Sequence, residues 1–240
     1  MKRFLLRGWL VALSGAALFG SPCLPGNLQT FIDLGANGCQ MDTVRFTNFT
    51  IVPGEAVAVP VDPSQVQVTP GDNAFNRILL FTLNTTANAG ETFESFFRFS
   101  ASGSLTGASL DLTSPTAAGD GAIVAILDVC PNGSFSAGAP LGCPDSPASL
   151  LAFAIGQSSL LSDSASFALS SSFDVFVDAR IDGGASGSAT LDSAAVGFSS
   201  SSVPEPSAGL LLSLGLSVFG LWRVRRSPSL SWHTHKRSAS

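Results

Sequence analysis

Residues 173–184 read Phe173-Asp-Val-Phe-Val-Asp-Ala-Arg-Ile-Asp-Gly-Gly184. Phe173, Val175, Val177, Ala179 and Ile181 recur at every second position, and the run closes on Asp-Gly-Gly, which suits a tight turn. Period-two burial ended by turn chemistry marks a β-strand with one buried face. The same pattern extends outward in both directions. Candidate strands lie at 44–52, 57–61, 65–69, 77–83, 92–100, 104–112, 122–129, 150–155, 164–170 and 188–198 as well as 173–181. Turn signals separate them at Pro53-Gly54, Pro70-Gly71-Asp72-Asn73, Asn88-Ala89-Gly90 and Gly119-Asp120-Gly121. Eleven short strands without a long amphipathic helix predict an all-β fold, an antiparallel β-sandwich of jelly-roll-like kind. No fixed repeat period supports a solenoid.

One short helix precedes the strands. Asn27 suits an N-cap, Leu28, Phe31 and Ile32 share one face, and Gly35 ends the run.

Both ends of the chain differ from this middle. Lys2, Arg3 and Arg7 precede an apolar stretch from Leu10 to Phe19, with small residues after it, so residues 1–21 read as a secretory signal peptide. This implies the Sec translocon and signal peptidase as partners. At the other end, Val203-Pro204-Glu205-Pro206-Ser207 is followed by the uncharged run Ala208–Trp222 and then by Arg223, Arg225 and Arg226. That order suits a transmembrane helix over 208–222 with a basic membrane stop. Its length is about 22 Å at 1.5 Å per residue, short of the ~30 Å hydrocarbon core. Pro204 and Pro206 hold the preceding segment extended, as a protease needs.

The order Pro-Glu-Pro, apolar run, arginine cluster resembles the PEP-CTERM sorting signal of bacterial exported proteins. The resemblance covers residues 203–226 and implies recognition by an exosortase, an integral-membrane protease-transpeptidase that removes the tail. The contact with the membrane would then be transient. Unlike most such tails, this one continues past the arginines, through a basic extension over 227–240 expected to be cytoplasmic. The stretch Asn27-Leu-Gln-Thr-Phe-Ile-Asp-Leu-Gly35, with Gly38-Cys39 and Phe46-Thr-Asn-Phe49, resembles the N-terminal segment of a group of exported PEP-CTERM proteins. The expected organisation is a leader (1–21), a β-sandwich domain (22–198), a Ser-rich stalk (199–202), the sorting signal (203–226) and the extension.

Once the two signals are set aside, the central domain keeps four basic residues, Arg45, Arg77, Arg98 and Arg180, against sixteen acids, a formal charge of −12. An acidic surface of this kind excludes nucleic acid as a partner class. The domain holds no His, Lys, Trp or Tyr: His233 and His235 fall in the extension, and the three tryptophans lie outside it. Acid–base and nucleophilic catalysis most often rely on His, so no catalytic residue and no cofactor is assigned and a non-enzymatic role is expected.

Cys23, Cys39, Cys130 and Cys143 form an even set in an exported chain, which predicts disulfides. Three pairings are open. Cys23–Cys39 and Cys130–Cys143 are favoured, because each pair brackets a loop rich in Gly, Pro and Asn. The second resemblance supports the first of these pairs. Zinc is disfavoured by the wide Cys spacing and the lack of His.

Asp174, Asp178 and Asp182 share one face of their strand and are the candidate Ca²⁺ ligands, against the plainer reading of a solvated outer face. Asp120 with Asp128, and Glu91 with Glu94, are the carboxylates that a hydrolase would need. Three Asn-x-Ser/Thr triplets begin at Asn48, Asn84 and Asn132, a weak signal in a Ser/Thr-rich chain. The expected role is that of an exosortase substrate whose precursor is tethered to the inner membrane and whose mature form sits at the cell surface or in an extracellular polysaccharide matrix. A carbohydrate- or Ca²⁺-binding adhesion module and a secreted hydrolase are the alternatives.

Overall fold

The structure, a computed structural model, describes residues 20–52, 58–72, 76–135, 143 and 147–201. Residues 1–19 of the expected leader (1–21), and the whole of the expected sorting motif, 208–222 helix and basic extension, lie outside the described residues. Among the described residues no helix is long and apolar enough to cross a membrane.

The expected helix, α1 (Leu28–Leu34), forms where its local signals put it. Asn27 accepts from the Thr30 amide at 2.9 Å, and Leu28 and Phe31 are buried. Gly35 closes it with φ +53° and donates to the Ile32 carbonyl. A cap of this kind supplies one of the hydrogen bonds that a helix terminus otherwise lacks.

Most of the other described residues form a mostly antiparallel sheet of thirteen strands, as the class read from the sequence requires. They are β1 (Gly26–Asn27), β2 (Cys39–Met41), β3 (Val44–Ile51), β4 (Val59–Pro60), β5 (Gln67–Asp72), β6 (Asn76–Asn88), β7 (Thr92–Thr113), β8 (Thr116–Ala118), β9 (Ala122–Pro131), β10 (Ala148–Ile155), β11 (Ser158–Leu160), β12 (Ser162–Asp182) and β13 (Ser188–Ser200). The main path runs β1-β5-β6-β13-β7-β12-β9-β10-β11, with β3 and β4 also pairing with β7.

Two differences from the expected strands shape the fold. The runs at 92–100 and 104–112 are one strand, β7, and those at 164–170 and 173–181 are another, β12. Strands of 22 and 21 residues exceed the usual span, and such strands bend. β7 bends near Gly103 (φ +148°), where a Cβ would stand 2.7 Å from the Thr43 carbonyl oxygen, and its partner β12 shifts register between Ser166 and Ser172. The first half of β7 pairs with β3 and the end of β12; its second half pairs with β13 and the start of β12.

Apolar faces of the two halves meet in a core built from phenylalanine. Phe97 of β7 and Phe81 of β6 have centroids 4.5 Å apart, and Phe46 of β3 lies 5.6 Å from Phe198 of β13. Phe99 meets Phe198 edge to face at 6.0 Å. The first two contacts join strands that are not hydrogen-bonded to each other, β7 with β6 and β3 with β13, so the rings pack together parts of the sheet that backbone pairing does not join. Without Tyr or Trp, no polar ring atom needs a partner in this core.

Two Asn positions singled out in the sequence prove to be bulge residues. Asn48 (φ +57°) and Asn84 (φ +47°) sit where β3 and β6 carry one residue more than their partners β7 and β13. Asn tolerates this left-handed backbone better than most residues. Asn84→Gly is therefore expected to leave stability nearly unchanged, whereas Asn84→Val should cost about 1–2 kcal/mol. Denaturant midpoints of the two variants check this, and equal midpoints would refute the bulge account.

Candidate functional site at the outer face and the C-terminal exit

Register places the even-numbered residues of β12 on the outer face of its half of the sheet. Asp174 is paired in register with Ser100 of β7 and Cys130 of β9, Phe176 with Arg98 and Asp128, Asp178 with Phe96 and Ile126, and Arg180 with Glu94 and Val124. The acidic row does share one face. Its members are spaced four residues apart along an extended strand, about 13 Å, far more than the reach of one ion's ligand shell.

Asp174 and Asp182 are also engaged locally. Asp174 is 4% exposed and forms a two-pronged ion pair with Arg98, whose Nε donates to Oδ1 at 2.9 Å and whose second nitrogen donates to Oδ2. The hydrogen bond from Arg98 to Asp174 holds the guanidinium pKa above its ordinary value. Asp182 accepts from the Gly184 amide at 2.8 Å and from Arg180 at 3.3 Å. Among the described residues no group of three His, Cys, Asp or Glu side chains gathers as a metal site would require.

The Arg98–Asp174 pair fastens the loop after β9. Arg98 donates to Ser134 Oγ at 2.9 Å and to the Phe135 carbonyl at 3.0 Å, and the Phe135 amide donates to Asp174 Oδ2 at 2.8 Å. Phe135, Phe176 and Cys130 form a small buried cluster beneath this loop, against which Val52, Phe96 and Cys143 pack. Cys130 is bonded to Cys143, and Cys23 to Cys39, with Cα separations of 5.6 and 4.7 Å. Both favoured pairings therefore form.

Two of the carboxylates considered for hydrolysis, Asp120 and Glu91, are engaged by turn amides. Asp120 accepts from the Ala185 and Ser186 amides at 2.8 and 3.0 Å, and Glu91 from the Asn88 amide at 2.8 Å. These backbone bonds lower both pKa values, those of Ser186 and Ala185 acting on Asp120 and that of Asn88 on Glu91. Those of Asp120 bind two turns together at one end of the sheet, and that of Glu91 closes the turn after β6.

Asp128 is 5% exposed on the outer face of β9, and accepts from Ser149 Oγ of β10. Burial raises its pKa, an effect that the Ser149 hydrogen bond only partly offsets. A carboxyl whose folded pKa exceeds its unfolded value stabilises the fold below the unfolded pKa, near 3.9, and that contribution is lost as pH rises through the folded value. Asp128→Asn, which can still accept from Ser149, should melt higher than the native protein at pH 7, with the gap closing toward pH 4. Melts across that range test it; a gap that does not change with pH would exclude burial of the charge as the cause. The lowered carboxylates, Asp62 among them, lose their contribution on acidification in both proteins and cancel.

Sequence reasoning missed the Arg98–Asp174 clamp. The available signal was that Arg98 is one of only four basic residues in the domain and stands at an even position between core residues Phe97 and Phe99.

The exit of the chain differs from the expected stalk. Ser199 and Ser200 belong to β13, paired with Gly107 and Leu105 of β7, and Ser199 Oγ meets Asn76 Oδ1 at 2.7 Å. Ser201 still donates its amide to the Ser104 carbonyl at 2.9 Å. The composition of 199–202 suggests a flexible linker, but β7 residues 104–107 supply partners that keep the backbone extended and paired through Ser201. Val203, Pro204, Glu205, Pro206, Ser207, Arg223, Arg225 and Arg226 lie outside the described residues.

The family model of the PEP-CTERM protein-sorting motif matches residues 202–226, beginning one residue beyond Ser201. No curated protein matches the chain. The chain thus carries the sorting motif that its tail resembles, and that motif implies an exported protein with a membrane-anchored precursor, processed by an exosortase.

Proposed function

We propose that the chain is a non-enzymatic protein of the cell surface or extracellular matrix, delivered by the Sec translocon, held in the inner membrane by its tail and released or attached there by an exosortase. The observation that carries this reading is the matched motif at 202–226 directly after the last paired residue of the sheet. The domain so delivered is read as a β-sandwich, its two halves joined by β7 and β12 and held by phenylalanine rings between them. In favour of a structural role, Asp174, Asp120, Glu91 and Asp128 each bind a neighbouring side chain or turn. The histidines of the chain lie within 227–240, which the tail would carry away.

The test is substitution within the motif. Glu205→Gln and Pro206→Ala should leave the protein in the membrane fraction, while the unaltered chain leaves it. Release of both variants at the native rate would refute processing at this motif.

A further inference from the structure

Both ends of the described domain leave from the same end of the sheet. At the N-terminal side, the Gly20 amide donates to Gln40 Oε1 at 3.0 Å, Ser21 accepts from the Gln40 amide at 2.8 Å, and Pro22 bridges to Gln40 in parallel. Gln40 belongs to β2, whose turn into β3 is formed by Asp42 and Thr43. That turn touches the bend of β7, where Gly103 abuts the Thr43 carbonyl, and binds the start of β6 through the Arg77–Asp42 ion pair at 2.5 Å. Next to Gly103, Ser104 receives the amide of Ser201. The entry and exit of the chain are therefore linked through Gln40, the β2–β3 turn and the β7 bend.

The turns at the opposite end are bound to one another. Gly90 donates to the Gly184 carbonyl at 2.7 Å, Gly183 donates to the Glu91 carbonyl at 2.9 Å, and Asp120 holds the 185–186 amides. β13 connects the two ends, running from Ser188, paired with Asn88, to Ser200. Thirteen residues at about 3.3 Å each separate them by roughly 40 Å.

From Ser201 to Ala208, the start of the apolar run, seven steps of chain span at most roughly 24 Å. On the other side, the apolar stretch of the leader ends at Phe19, adjacent to Gly20. We infer that the end of the sheet bearing Gln40, Asp42, Thr43 and Gly103 faces the lipid bilayer in the precursor, and that the turn cluster of Gly90, Asp120 and Gly184 is the surface presented away from it. The inference rests on the proposed reading of the tail as a membrane handle. With the stalk replaced by paired strand, the tether is too short to let the two ends exchange places freely.

The experiment places a spin-sensitive fluorophore on Thr43→Cys or Ala89→Cys, both exposed positions, in the full chain reconstituted into phosphatidylcholine vesicles containing headgroup-nitroxide lipid. Quenching at Thr43 should exceed that at Ala89 several-fold. Inserting about twenty Gly/Ser residues between Ser202 and Val203 should reduce the difference, because such a linker behaves as a flexible coil. Equal quenching of the two labels, or stronger quenching at Ala89, in protein that floats with the vesicles would overturn the orientation while leaving the handle intact. Failure of the full chain to float with vesicles would overturn the handle and the orientation together.

Discussion

Phe99→Ala is expected to destabilise the domain by about 3–5 kcal/mol, enough to lower its melting temperature by roughly 10 °C. Phe99 is fully buried on the inner face of β7 and meets Phe46, Phe49, Phe81, Phe97 and Phe198. Its removal deletes apolar area and leaves a cavity between layers that no polar group or water can usefully fill. Phe99→Leu keeps much of the volume and should cost markedly less. Thermal melts of the two variants under oxidising conditions give the comparison; a loss below about 1 kcal/mol for the alanine variant would mean that the two halves do not depend on this ring cluster.

Arg98→Met is the second large effect, at about 3 kcal/mol. The substitution retains an apolar stem over Phe176 but leaves the Asp174 carboxylate buried with only the Phe135 amide. Removing one partner of a buried pair costs more than the pair itself contributes, because the surviving charge stays desolvated. The double variant Arg98→Met/Asp174→Asn should recover much of the loss. Chemical denaturation of the single and double variants closes the cycle. If the double variant is as unstable as the single one, the uncompensated carboxylate is not the cause.

The contrast between these two sites shows where the sequence was legible. Alternation identified Phe173 as core and Asp174, Asp178 and Asp182 as one face, because the side-chain period of a strand is a local property. Helix α1 was legible for the same reason, with Asn27 and Gly35 marking its ends. Arg98 is 76 residues from Asp174, and only the antiparallel pairing of β7 with β12 brings them together. Strands of two or three residues such as β1, β8 and β11 likewise have too little pattern of their own and exist because a neighbour offers an edge.

Composition misled at two places where pairing overrides it. The gap between the candidate strands at 92–100 and 104–112 reads as a break, yet the chain stays extended there because β12 continues alongside it with a bulge. Ser199–Ser202 reads as a stalk, yet Ser199 and Ser200 lengthen β13. This second correction bears on function, since it moves the paired end of the sheet to within one residue of the matched motif. The outer-face acids were legible as a row but not as a site: spacing along the strand, together with Arg98 and Gly184, disperses them into separate structural tasks.

The account turns on the tail being a temporary handle, and the intact mass of the protein recovered from cells and culture medium tests that most directly. The released protein is predicted to lack the residues beyond the Pro204-Glu205-Pro206 motif and to retain both disulfides. A released chain whose mass still includes Arg226 and Ser240 would contradict it.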